Sequence, residues 1–483
     1  MLAVVLGLGF GFTITHHSIG IDNNAHDLYY HQGGVIYQGR LTALVLDKIF
    51  GIYLYPPFWA NAVGAGVLYF SALAWCVLFA RVGKDMMTPA TCLIFASVLI
   101  SYPIINEHFI FNPLNLPLGY GLTAFSLMMA YDTHQNRNIS AAMASIVAMI
   151  FVISLNESFA AVFLIGMFCI FVLESLQSGS ESTGFKLIRN MLVYIGILAA
   201  AIVLEWLITA LVRTLVPSTA VVGASNARIL WLFQPFLHVI KNLFWGVIGK
   251  YVVAGKTYFP ITLFLAASLI FLGTMIWLTC KKKKPIYLVL IIFIFLSVVS
   301  VNIIKGAALP YRTDSALGIF IAFTMMFMWI LLKDKWARVV FAVMMVVLVI
   351  NQTRILNNWF VNDYERYEYD VEIVEHVSYD IEKNCDVSKP VLFIGWVNNS
   401  AATRNVPGEY NGIQFINAYS NYREEPNKYS FLLNDFFRIH GHDFADATDE
   451  YYEEGREIAE DMPSYPKPGY IREEEEYIIV NFN

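Results

Sequence analysis

Apolar runs nearly as long as a bilayer is thick recur along this chain, and they fix what it can fold into. Eleven can be drawn, at 2–15, 58–80, 89–105, 117–131, 139–155, 158–174, 190–212, 261–280, 286–304, 315–332 and 337–351. Crossing hydrocarbon of ~30 Å takes roughly 20 helical residues, so several runs are short for the task. Within lipid each backbone N–H and C=O must be bonded inside the structure, which makes helix the form such runs take. The chain is 57% hydrophobic and only 14% charged, a balance foreign to ordinary soluble domains. A polytopic α-helical membrane protein with about 11 transmembrane helices is therefore predicted for residues 1–352. The first run lacks a basic leader and a small-residue cleavage site, so it is not read as a signal peptide.

The basic residues orient the helices. Arg81 with Lys84, Arg137, Lys186 with Arg189, Lys281 to Lys284, and Lys333, Lys335 and Arg338 all fall in alternate short loops. Lys and Arg mark cytoplasmic loops, so the N-terminus is expected inside and, after eleven crossings, the end of the chain outside. Two of the outer loops, 16–57 and 213–260, are long. Each contains an apolar stretch broken by polar residues, Gly39 to Phe50 and Ile229 to Val252, read as helices lying in the membrane interface.

Net charge divides the chain. Residues 353–483 hold 26 acids against 11 Lys and Arg, whereas the first 352 hold 12 against 21. The acidic end is predicted as an extracytoplasmic α/β domain. It has a helix over Asn357 to Lys383 and strands at Pro390 to Val397 and Tyr477 to Phe482. Nothing in the chain is basic enough to hold nucleic acid. Its five cysteines follow no disulfide or zinc spacing, and Cys385 reads as a free buried thiol.

Acids and bases that topology does not explain collect on the outer face. The first outer loop carries His16, His17, Asp22, Asn23, His26, Asp27 and His31, then Gly39 and Arg40. A carboxylate held beside lipid is costly unless paired or used, and a base for an acceptor hydroxyl is one use; Asp22 is the first candidate and Asp27 the second. Solvated capping by the same residues is the plainer alternative. The histidines match no ligand signature, and no metal or other cofactor is expected. Lys305, Tyr311 and Arg312 form a second group; Arg offers a rigid fork to phosphate oxygens and Lys a point charge. Head-group anchoring, or an Arg312–Asp314 pair, would explain them without function. Asn106, Glu107 and His108, and Asn156 with Glu157, occupy short outer turns and are candidate substrate contacts, along with Arg40 and Tyr311. Glu205 is an acid within the seventh run, expected to bond a neighbouring helix while protonated.

This layout resembles the bacterial O-antigen glucosyltransferases of the serotype-converting type, polytopic glycosyltransferases of the GT-C class. The resemblance rests on IDNNAHD at 21–27, GRLTALVLDKIFG at 39–51, LPYRTDSALG at 309–318 and the closing MPSYPKPGYIREEEEYIIVNF at 462–482. Asp22 is followed by Asn23 where the family often has a second acid, and Asn156-Glu157 stands where it often has Tyr-Gln. The resemblance implies a GT-C-like fold in a bacterial inner membrane and a polyprenyl-phosphate hexose, glucose by expectation, as donor. It further implies a surface polysaccharide or lipid-linked glycan as acceptor, and inversion at the anomeric carbon. Arg312 and Lys305 would then hold the donor phosphate, with Asp22 or Asp27 as base. A flippase of lipid-linked saccharides would instead favour midplane charges and inverted repeats. A polysaccharide polymerase would share the large outer loops.

Overall fold

The computed structural model describes residues 1–16, 18, 36, 38–50, 57–111, 113–177, 184–216, 229–253, 259–282, 285–397 and 426–483. Two compact units divide the chain. One comprises residues 1–15, 29–358 and 407–409, the other 16–28, 359–406 and 410–483.

The first unit is helical. Its helices run α1 (Leu2–Thr15), α2 (Leu41–Phe50), α3 (Pro57–Gly83), α4 (Pro89–Ile100), α5 (Ile105–Phe111), α6 (Asn115–Asn136), α7 (Ile139–Ile153) and α8 (Phe159–Gln177). They continue through α9 (Gly184–Leu215), α10 (Phe236–Ile248), α11 (Phe259–Lys282), α12 (Ile286–Val298), α13 (Ser300–Lys305) and α14 (Ser315–Leu331) into α15 (Lys335–Asn384). Every apolar run read from the sequence is helical over most of its length, although two of the runs are broken. Among the described residues, five helical stretches are long and apolar enough to cross a membrane: Phe58–Met86, Phe159–Gln177, Arg189–Leu215, Phe259–Lys282 and Lys335–Asn384. α1, α4, α7, α12 and α14 are equally apolar but shorter.

Local signals place the breaks. Thr88 and Thr91 form a capping box with Pro89 opening α4, and the Asn138 side chain caps α7. The run predicted as 89–105 ends as helix at Ile100, and a separate short helix, α5, follows. The run 286–304 is likewise broken at Val299. Its second piece, α13, ends on Gly306 in the left-handed region at φ 76°, where glycine carries no Cβ penalty.

Helix association in lipid gains little from hydrophobic burial and rests on close packing and interhelical hydrogen bonds. This unit supplies both. Ser126 and Ser145 bond across α6 and α7 at 2.8 Å, Trp75 Nε1 donates to the Tyr120 carbonyl at 3.0 Å, and Ser101 donates to Gln352 at 2.7 Å. Apolar side chains left outward, such as Leu192, Val203, Trp206 and Leu211 on α9, form the kind of face that lipid covers.

Among its described residues, the second unit contains the C-terminal part of α15, three strands and two helices, α16 (Pro426–Ile439) and α17 (Asp449–Ala459). β1 (Val391–Ile394) pairs in parallel with β3 (Ile478–Asn481), and β2 (Ile471–Glu473) pairs antiparallel on the other edge of β3. Both strands of the parallel pair lie within the runs picked out from the sequence. Their residues are buried throughout, with Phe393, Val480 and Phe482 against Val377, Phe436 and Phe437 on one side and Leu392 and Ile479 against Tyr452 on the other. Continuous rather than alternating apolar character follows from burial on both faces.

Candidate functional site

Three charges from separate elements converge in the helical unit. Glu157 stands in the turn between α7 and α8, Lys305 ends α13, and Arg40 precedes α2. Lys305 Nζ lies 3.6 Å from Glu157 Oε1. Burial pushes the Glu157 carboxyl up, but Arg40 and Lys305 more than offset this and hold it below the ordinary glutamate value. Half of its side-chain surface nevertheless stays open. Two cations around one carboxylate leave the cluster net positive.

Backbone contacts fix each member. Ser154, one turn before Glu157, accepts from the Thr42 N–H at 3.0 Å and donates to the Gly39 carbonyl at 3.2 Å, tying the Arg40 segment to the end of α7. Asn156 accepts from the Ser158 N–H at 2.9 Å, an Asx turn that aims its neighbour. Asn156 therefore shapes the turn with its own side chain.

Arg312 lies in the turn between α13 and α14, where Tyr311–Thr313 forms a 3₁₀ segment. Its carbonyl is held by His108 Nε2 at 3.0 Å. A carbonyl can only accept, so that nitrogen carries the proton. Burial, reinforced by the Arg312 guanidinium and opposed by this hydrogen bond, lowers His108 to about 4; it is neutral at physiological pH. Glu107 and His108 are both buried rather than at an open surface, and His108 supports the turn through its bond to the Arg312 carbonyl. Tyr120 bonds the Ser315 carbonyl at 3.0 Å and Ser158 the Ser315 hydroxyl at 3.1 Å, which joins the Arg312 turn to the Glu157 turn.

The residue that sequence reasoning passed over is Lys250. It stands in a π-helical turn, Gly249–Val253, that extends α10, and such turns gather at functional sites. Its ammonium lies 2.7 Å from Asp314 Oδ2 and donates to the Leu309 carbonyl at 2.6 Å. Tyr251 donates to Asp314 Oδ1 at 2.8 Å, and Asn302 donates to Tyr251 and accepts from the Leu309 N–H. Asp314 thus pairs with Lys250, not with Arg312 as the plainer sequence reading had it. Burial pushes its carboxyl up, with Lys250 acting against that. Tyr311 turns toward the same lysine, its hydroxyl 3.4 Å from the Lys250 carbonyl and its ring 5.3 Å from the ammonium. The available signal was a lysine inside an otherwise aromatic and apolar stretch.

Glu205 accepts from Thr209 at 2.7 Å within its own helix, not from a neighbour as expected. Asp22 and Asp27 lie outside the described residues, as do His17, His26 and His31. Among the described residues, no three His, Cys, Asp or Glu side chains form a group that could hold a metal ion. All five cysteines are free thiols.

No curated protein and no solved structure matches the chain. The family described as Glucosyl transferase GtrII matches residues 11–352, the stretch that contains Arg40, His108, Glu157, Lys250, Lys305 and Arg312. With about 70% of its length under that match, the chain belongs to the GtrII glucosyl transferase family.

Proposed function

We propose that the protein transfers glucose from a polyprenyl-phosphate donor to a surface polysaccharide on the extracytoplasmic side of a bacterial inner membrane, with inversion. The observation that carries this reading is the net-positive cluster of Arg40, Glu157 and Lys305, whose Glu157 turn is linked to the turn of Arg312 by the Ser158–Ser315 hydrogen bond. A lipid phosphate is an anion delivered at the membrane surface, and Arg and Lys there match its oxygens.

In the reaction the acceptor hydroxyl oxygen bonds to the anomeric carbon while that carbon's bond to the phosphate oxygen breaks. The hydroxyl proton passes to a carboxylate, Asp22 in the first instance and Asp27 in the second. The electron pair leaves with the lipid phosphate, whose growing charge Lys305 and Arg312 stabilise. Glu157 keeps Lys305 in place between turnovers, and no metal or other cofactor is called on.

The test is transfer by purified protein in nanodiscs, with radiolabelled polyprenyl-phosphate glucose and surface polysaccharide from the producing cells. Label should enter the glycan with wild-type protein and not with Asp22→Asn. Transfer surviving in Asp22→Asn but lost in Asp27→Asn moves the base. Donor binding without transfer in wild type refutes the reaction.

A further inference from the structure

The acidic unit carries a half-open cavity of about 470 Å³, within the size range of small-ligand sites. Tyr369 and Glu372 reach it from α15, Trp396 from the end of β1, Ser464 and Tyr465 from the loop before β2, and Asn483 from beyond β3. We propose that this cavity is a binding site for a neutral saccharide, a segment of the acceptor glycan; that role rests on the transferase reading above.

The walls point to sugar chemistry. Aromatic faces carry negative quadrupole density and attract the weakly positive C–H face of a pyranose ring. Trp396, Tyr369 and Tyr465 supply such rings, and around them stand a carboxylate, an amide and a hydroxyl, from Glu372, Asn483 and Ser464. That set can accept from and donate to vicinal hydroxyls. Among the described residues lining the cavity there is no Lys, Arg or His, and residues 353–483 carry a net charge of −15. An anionic ligand such as a lipid phosphate would meet repulsion there, whereas an uncharged glycan would not.

The Tyr465 ring is also held in place before any ligand arrives, which lowers the entropy cost of binding. Tyr465 is wedged edge-on against Tyr470 and Phe482, with ring centroids 5.1 and 5.8 Å away, and its hydroxyl bonds His376 Nδ1 at 3.1 Å. Gly395, at φ 83°, turns the chain between β1 and Trp396. A Cβ there would strike the Asn483 side chain.

The experiment is saturation-transfer NMR on the full chain in nanodiscs, titrated with neutral surface polysaccharide from the producing cells. Wild type, Trp396→Ala and Glu372→Gln are compared; the last swaps one exposed group for its isostere and spares the fold. Wild type should bind, and each variant should weaken binding at least fivefold. In the transfer assay each variant should raise KM for polysaccharide by a similar factor while KM for donor and kcat hold. Weakened glycan binding in the variants of a protein that transfers nothing would keep the site and refute the reaction. Equal affinity in all three proteins, or no glycan binding by wild type, would each overturn the site.

Discussion

Single side chains in this protein are distinguished by what holds them. His108 is buried with its Nε2 proton on the Arg312 carbonyl and is lowered to about 4, against about 6.5 for an exposed imidazole. Between those values the unfolded chain binds the extra proton, so stability from this group is complete above pH 6.5 and is lost as pH falls toward 4. The full effect is about 3 kcal/mol. His108→Gln keeps a donor for the carbonyl but does not titrate. Thermal unfolding at pH 7.5 and pH 5 should show a larger drop in midpoint for wild type than for the variant; equal drops would assign the loss to other groups. Lys305 is mostly buried, with about a fifth of its side chain open, and is steered by the more exposed Glu157. A charge-assisted contact contributes about 1.5–3 kcal/mol. Lys305→Ala should therefore raise KM for the lipid-phosphate donor by about tenfold to a hundredfold, measured against an unchanged KM for glycan. Much of this scale was readable beforehand. Arg312, Lys305 and Glu157 stood out as charges without a topological reason. That Lys305 and Glu157 would meet was not readable, because their approach depends on how α8 and α13 pack.

Among elements, the turn from α13 to α14 is the most heavily braced, and the brace comes from a distant part of the sequence. Lys250, in the π turn after α10, holds Asp314 and the Leu309 carbonyl. Removing one member of a buried pair strands the other charge and costs about 3–5 kcal/mol, while replacing both by apolar groups is often close to neutral. Lys250→Met should thus unfold at markedly lower temperature than wild type, and Lys250→Met with Asp314→Leu should recover most of the loss. If the double variant is as unstable as the single, the brace works through the lysine's bonds to carbonyls instead. Gly306 begins the same turn at φ 76°, and a Cβ there would come within 2.7 Å of Val239. Gly306→Ala should lower transfer and stability together. The sequence reading placed the apolar helices and the two buried strands β1 and β3, because continuous apolar runs mark them. It named none of α16, α17 and β2, which are more polar. It also missed the break at Val299 and the partner of Asp314, since an interruption inside an apolar run and a buried pair leave no mark in composition.

For the whole molecule, the reading turns on the parity of crossings. Basic loops alternate with the turns that hold Glu157 and Arg312, and eleven crossings, one for each apolar run, would put the acidic unit on the side opposite the N-terminus. Charge supplies the reason: Lys and Arg close to membrane-spanning ends resist translocation, whereas acids contribute little to orientation. A chain whose last 131 residues are strongly acidic has no such barrier to export. The arrangement can be read by labelling single cysteines in a variant lacking Cys76, Cys92, Cys169, Cys280 and Cys385. Asn136→Cys, Lys333→Cys and Lys467→Cys all place the thiol at exposed positions. A membrane-impermeant maleimide should modify Lys467→Cys in intact spheroplasts, and the other two only after permeabilisation. Protection of Lys467→Cys would make the number of crossings even. The proposed saccharide cavity would then face the cytoplasm, away from any exported glycan. Labelling of all three in intact cells would place Asn136 and Lys333 on the face assigned to Glu157 and Arg312, and the alternation of loops on which the outward-facing site depends would fail with it.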